Sequence, residues 1–163
     1  MHIFYIDDSK DEKNAIFSAI AIPGDQWRAS FAMIRDFRVG LRQQDGIPIR
    51  VELHATHFVA GRGSLGTERV VPKGRRCQIF KDALTMVSLL PGVMVMNACC
   101  PRAKEDWAFE RLLNRINKAM ERASSQALII SDQGKEVEYT RLARRMSVFK
   151  PAQEPVRGVG GRK

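Results

Sequence analysis

Long apolar runs are missing from this 163-residue chain. No stretch reaches the roughly 20 apolar residues that a bilayer-spanning helix requires. The first residues show no basic segment followed by a long apolar one. Neither a membrane span nor a signal peptide is therefore expected, and no membrane partner. Cysteine is scarce and odd in number: Cys99 and Cys100 are neighbours in an apolar stretch, and Cys77 stands alone. The absence of any CxxC spacing argues against a zinc knuckle. Reduced, buried thiols in a cytoplasmic protein are the simplest expectation. The glycine-containing stretch "GRGSLGTERVVPKG" lacks the GKS or GKT of a phosphate-cradling loop and reads as a plain connection.

Acid is in deficit. Lys and Arg number 27 against 18 Asp and Glu, a net charge of +9. The excess is concentrated at the end of the chain. Between Thr140 and Lys163 stand seven basic residues and one acid, Glu154. Such a segment can hold a polyanion by counterion release. A solvated, disordered end is the alternative, because "EPVRGVGGRK" has no periodicity. What remains is ordinary globular composition, 44% hydrophobic and 28% charged, in a chain long enough for one core-bearing domain. One domain over 1–149 and a basic, disordered tail over 150–163 are expected.

Periodicity organises the domain into an α/β fold. Residues 2–8 and "AIFSAIAIP" (15–23) read as strands close enough to form an antiparallel hairpin. Asp25 stands where a helix cap would, ahead of an apolar stripe of Trp27, Phe31, Ile34 and Leu41. "IRVELHA" (49–55) alternates and predicts a third strand. "RRCQIFKDALTMVSLL" predicts a helix, "VMVMNACC" (93–100) a central buried strand, and residues 105–125 the clearest amphipathic helix. "ALIIS" predicts a short buried strand with Asp132 directly after it, followed by a last helix over about 135–147. Five strands are expected, the early ones as a meander and the later ones in parallel.

Acids stand at or near predicted strand ends: Asp7, Asp8, Glu52 and Asp132, with Glu136 one turn further. Two carboxylates about 4 Å apart repel by about 4 kcal/mol at an effective dielectric near 20, so converging acids call for a cation or a shared proton. Magnesium and manganese accept oxygen ligands of this kind, and paired ions support phosphodiester cleavage. Asp7 and Asp8 point to opposite faces if the strand runs through both. Both can serve one site only if the strand ends between them; Asp7, which ends the regular part, is the preferred ligand, and an Asx-type turn around Ser9 is the structural alternative. Glu52 and His54 share a face of the predicted third strand. Glu52 marks either a costly buried charge or a solvated edge. His54 and His57 lack a third nitrogen or sulfur ligand for zinc, and His54 is better suited to proton transfer or hydrogen bonding. Asp132 lies where ligands bind α/β sheets, or else caps the following helix. Arg141 and Arg145 share one helix face and reach either phosphates or solvent.

With these residues in place, the chain resembles the domain-of-unknown-function 3800 family. The likeness rests on "YIDDS", on "VELHATHF" with the following "GRG", and on "RRCQIFKDAL", "AFERLLNRIN" and "LIISDQGKEVEYTRLARRM". It covers most of residues 1–147. The order of elements is that of an RNase H-like domain, with one extra helix between the second and third strands. The resemblance implies an RNase H-like mixed five-stranded sheet flanked by helices and a magnesium- or manganese-dependent nuclease. Asp7, Glu52 and Asp132 would be the metal ligands, Asp8, His54 and Glu136 would stand beside them, and Arg141 and Arg145 would contact nucleic acid. Three departures stand out: Lys10 in place of a glycine, Gln133 in place of an acid, and no match to the family's final stretch beyond about Phe149. If a ligand is lost there, the chain is a catalytically inactive nucleic-acid- or protein-binding module, or a subunit completed by a partner or a second copy. A further mismatch is that RNase H-like nucleases carry an acid on the strand beside the first. Here that strand, the fourth, is "VMVMNACC", with only Asn97 as a polar group, and Asp132 lies on the next strand.

Overall fold

The computed structural model describes residues 1–131, 139–141 and 144. The chain divides into two units, Met1–Ser131 and Asp132–Lys163. In the second, Tyr139–Arg141 and Arg144 are helical, within the helix expected over 135–147.

The first unit is a mixed α/β arrangement around a sheet of β1 (His2–Lys10), β2 (Asn14–Pro23), β3 (Met94–Pro101) and β4 (Ala127–Ser131). The spatial order is β3-β2-β1-β4. β1 and β2 form the expected antiparallel hairpin, in register from His2↔Pro23 to Lys10↔Ala15. Asp11 closes its turn by accepting the backbone N–H of Lys13 at 2.7 Å and of Asn14 at 2.6 Å. These bonds favour the ionised carboxylate and hold its pKa below the ordinary value. β3 pairs antiparallel with β2, and β4 pairs parallel with β1. β3 and β4 therefore run the same way on opposite sides of the hairpin, and helix α4 (Glu105–Arg122) carries the chain across between them.

Strand alternation decides which face is the core. Phe4, Ile6, Phe17, Ala19, Ala98 and Cys100 share one face and are buried. Against it lies the apolar stripe of α4, from Ala108 and Phe109 to Met120. Phe17 and Phe109 meet at a ring-centroid distance of 5.3 Å. The alanines of β2 leave room for the helix to approach. On the other face Tyr5, Ile16, Val95, Leu128 and Ile130 are exposed.

Three helices, α1 (Trp27–Asp45), α2 (Ala55–Val59) and α3 (Lys73–Ser88), enclose a second core of Leu41, Ile47, Phe58, Leu65, Val71 and Ile79. Asp25 does not cap α1. The capping position is Gln26, without a side-chain bond, because Asp25 falls inside a turn closed by the Gln26 N–H on Pro23 O. Gly46 ends α1 in the left-handed conformation, φ 72°, and donates to Arg42 O. Arg75 at the start of α3 grips Asp45 with two bonds of 2.7 and 2.8 Å, and this contact raises the Arg75 pKa.

Several expectations need correction. The segment 49–55 is not a strand, so the sheet has four strands among the described residues instead of five. Arg38 occupies the carbonyls of Pro48, Ile49 and Val51, and the Val51 N–H turns back to Pro48 O. The alternation reflects one-sided packing of a loop, with Leu53 set against the helical core. The stretch "VMVMNACC" is not central either. It forms β3 at the sheet edge, with Ala98 and Cys100 inward and Val95, Asn97 and Cys99 exposed. β1's other neighbour is β4, whose residues Ala127–Ile130 are exposed instead of buried. The cysteines are free, but only Cys100 is buried. No helix among the described residues is long and apolar enough to cross a membrane.

Candidate functional site

β1 does not end at Asp7. It continues to Lys10, so Asp7 and Asp8 face opposite sides of the sheet and cannot serve one site together. Asp7 lies on the open face. Its register partner is Ser18, whose own partner on β3 is Asn97. A polar row of one carboxylate, one hydroxyl and one amide thus crosses three strands. Apolar rows flank it: Tyr5, Ile20 and Val95 on one side, Ile16 and Cys99 with Ser9 on the other. The Tyr5 hydroxyl accepts the Trp27 indole N–H at 2.9 Å, which ties the start of α1 beside this face.

Asp8 lies on the α4 side of the sheet. Lys10, two residues along the same face, places Nζ 3.2 Å from Asp8 Oδ2 and 3.3 Å from Glu105 Oε1. One ammonium thereby bridges two carboxylates from different elements. Glu105 was not anticipated from sequence. The signal available was its place as the first acid of an amphipathic helix, where the helix dipole favours negative charge.

Glu52 and His54 sit on the loop before α2 instead of on a strand. His54 Nε2 is 3.5 Å from Glu52 Oε1, and the side chains are 65% and 78% exposed respectively. Glu52 therefore bears no burial cost. His54 and His57 have ring centroids 6.0 Å apart. Arg141 is exposed. Asp132, Glu136 and Arg145 lie outside the described residues.

A hard divalent cation gathers several oxygen ligands. Among the described residues no three His, Cys, Asp or Glu side chains come together in a way that could hold a metal ion. Asp7 with Ser18 and Asn97 offers oxygen donors of the right type, but only one of them is charged. The described residues alone do not make a magnesium or manganese site. No family model, curated protein or solved structure matches this chain.

Proposed function

We propose that the chain is a metal-dependent nuclease of RNase H-like fold, akin to the domain-of-unknown-function 3800 family and acting in the cytoplasm. The observation that carries this reading is the parallel register of β1 and β4. Ile6 pairs with Ser131, and the residues that follow these two in sequence are Asp7 and Asp132. Two acids following paired positions on adjacent parallel strands are a favourable start for an oxygen-ligand site. The strand order β3-β2-β1-β4 with one crossover helix also suits the first four strands of an RNase H-like sheet. β4, which Asp132 follows in sequence, is the strand beside β1, where the RNase H-like pattern calls for an acid. Fold analogy alone says little about activity.

In this proposal Asp7, Asp132 and Glu52 hold magnesium or manganese, with Glu52 supplied from an exposed loop. His54 positions groups or moves a proton beside them, and Glu136 is auxiliary. Arg141 and Arg145 contact phosphates. Asp8 has a structural role through Lys10 and Glu105. The test is incubation with single- and double-stranded DNA and RNA in magnesium or manganese. Asp7→Asn should lower cleavage by at least about 100-fold, the upper end of what is lost even on removing an outer-shell partner. Equal cleavage by both proteins refutes the assignment.

A second reading is a catalytically inactive nucleic-acid-binding module. It is favoured by the lack of a three-ligand group among the described residues. Binding that is insensitive to chelator, with no cleavage in any metal, would select it.

A further inference from the structure

Helix α4 does more than cover the sheet. Lys104, Arg111, Arg115, Lys118 and Arg122 follow one another at spacings of seven, four, three and four, with Trp107 between the first two. At 3.6 residues per turn these positions form a single stripe. All six are exposed, and Trp107 is 47% exposed. From Lys104 to Arg122 the stripe runs about 27 Å at 1.5 Å per residue.

The polar residues of the helix are sorted by charge. Asp106, Glu110, Asn117 and Glu121 occupy a separate flank at spacings of four, seven and four, where Asn117 donates to Glu121 at 2.8 Å. A merely solvated helix gains most from mixing opposite charges at i,i+4, and the long basic stripe forgoes that. No salt bridge engages Arg111, Lys118 or Arg122 among the described residues. Arg115 is instead tied to the sheet, donating to the backbone carbonyl of Asn97. This places the stripe on the β3 side of the helix. Trp107 is held among cations, with the Arg111 guanidinium 4.6 Å and the Lys104 ammonium 5.7 Å from its ring centroid.

We propose that this face of α4 binds single-stranded nucleic acid, its cations following the phosphates and Trp107 stacking with a base. Cations along a line provide sequence-independent affinity, and an exposed indole among them adds base stacking. Stacking requires an unpaired base, which selects single strands over duplex. A membrane surface is a poorer fit, because the apolar side of α4 is buried against the sheet and Trp107 is the one large apolar side chain in the stripe. The proposal goes beyond the nuclease reading and stands without it.

The experiment uses the full chain with fluorescent oligothymidine and oligouridine, in chelator so that cleavage plays no part, across a salt series. The combined Arg111→Ala, Lys118→Ala and Arg122→Ala variant should bind more weakly. Its slope of log affinity against log salt should flatten by about 2, at about 0.7 per phosphate contact. Trp107→Ala should cost about tenfold, and Trp107→Phe should retain most of the affinity. The combined Arg50→Ala, Arg62→Ala and Lys81→Ala variant removes the same charge from exposed positions elsewhere and should change affinity by less than about twofold, each change lying away from the stripe. Equal losses in the two triple variants would overturn the proposal. So would duplex binding as tight as single-strand binding, or binding to anionic phospholipid vesicles in place of oligonucleotide. Thermal melts confirm that each variant is folded.

Discussion

Arg38→Met removes a guanidinium and keeps an aliphatic stem of similar reach. Arg38 Nε donates to Ile49 O at 3.2 Å. Its Nη2 donates to Pro48 O at 3.0 Å, to Ile49 O at 2.9 Å and also to Val51 O. One planar group thus satisfies three carbonyls of the loop that carries Glu52 and His54. A hydrogen bond to a charged group contributes about 1.5–3 kcal/mol. The full sum does not apply, because the Ile49 carbonyl contact is exposed and water replaces part of what is lost. The expected cost is about 2–4 kcal/mol, a large share of the 5–15 kcal/mol that stabilises a typical domain. Burial lowers the Arg38 pKa, yet arginine starts so high that it stays charged near neutrality and the effect is flat there. Hydrogen exchange reads the loop through the Val51 amide, which donates to Pro48 O at 3.2 Å. Its protection should fall by at least about 30-fold, at about 1.4 kcal/mol per tenfold. Arg38→Lys should recover only part of this, since a point charge does not reproduce a rigid fork. Unchanged Val51 protection in Arg38→Met would refute the view that this one side chain shapes the loop.

Two further outcomes follow from local geometry. Gly92 has φ 67°, and a Cβ there would lie 2.7 Å from Pro23 Cγ, an atom in a stiff ring. Gly92→Ala should cost about 2–4 kcal/mol, combining left-handed strain with overlap, and urea unfolding measures it. The Asp11 carboxylate is favoured in the folded state by two backbone donors, so its pKa lies below the unfolded value. Its contribution to stability is therefore present above the unfolded value near 3.9 and is lost as pH falls through the lowered folded value. The Lys13 and Asn14 amide shifts should titrate together with a midpoint under 3.9, and Asp11→Asn should abolish that step.

The hairpin and α4 were legible because both arise from short-range periodicity. Ile3 to Ile6 and Ala15 to Ile22 read as strands, and Phe109, Leu112, Ile116 and Met120 keep helical spacing. The segment around Glu52 misled because alternation records burial on one side and not a ladder partner. Pro48 and Arg38 decided its backbone, and Arg38 lies ten or more residues away. Asp7 was expected at the end of the regular strand, but β1 runs on to Lys10 and sets Asp7 and Asp8 on opposite faces. Lys10 looked out of place in the sequence. Its contact with Glu105, 95 residues away, accounts for it.

Sequence by itself determined that α1, α3 and α4 are helical, where the first hairpin turns, and which acids and cations are available. Those properties follow from neighbours within a few residues, where propensity, capping and side-chain period act. Tertiary structure decided which strand lies beside β1, which sheet face is open, and that the cations of α4 form an exposed stripe beside β3. Strand pairing and helix docking bring together residues tens of positions apart. No local pattern records which of several apolar edges they will choose.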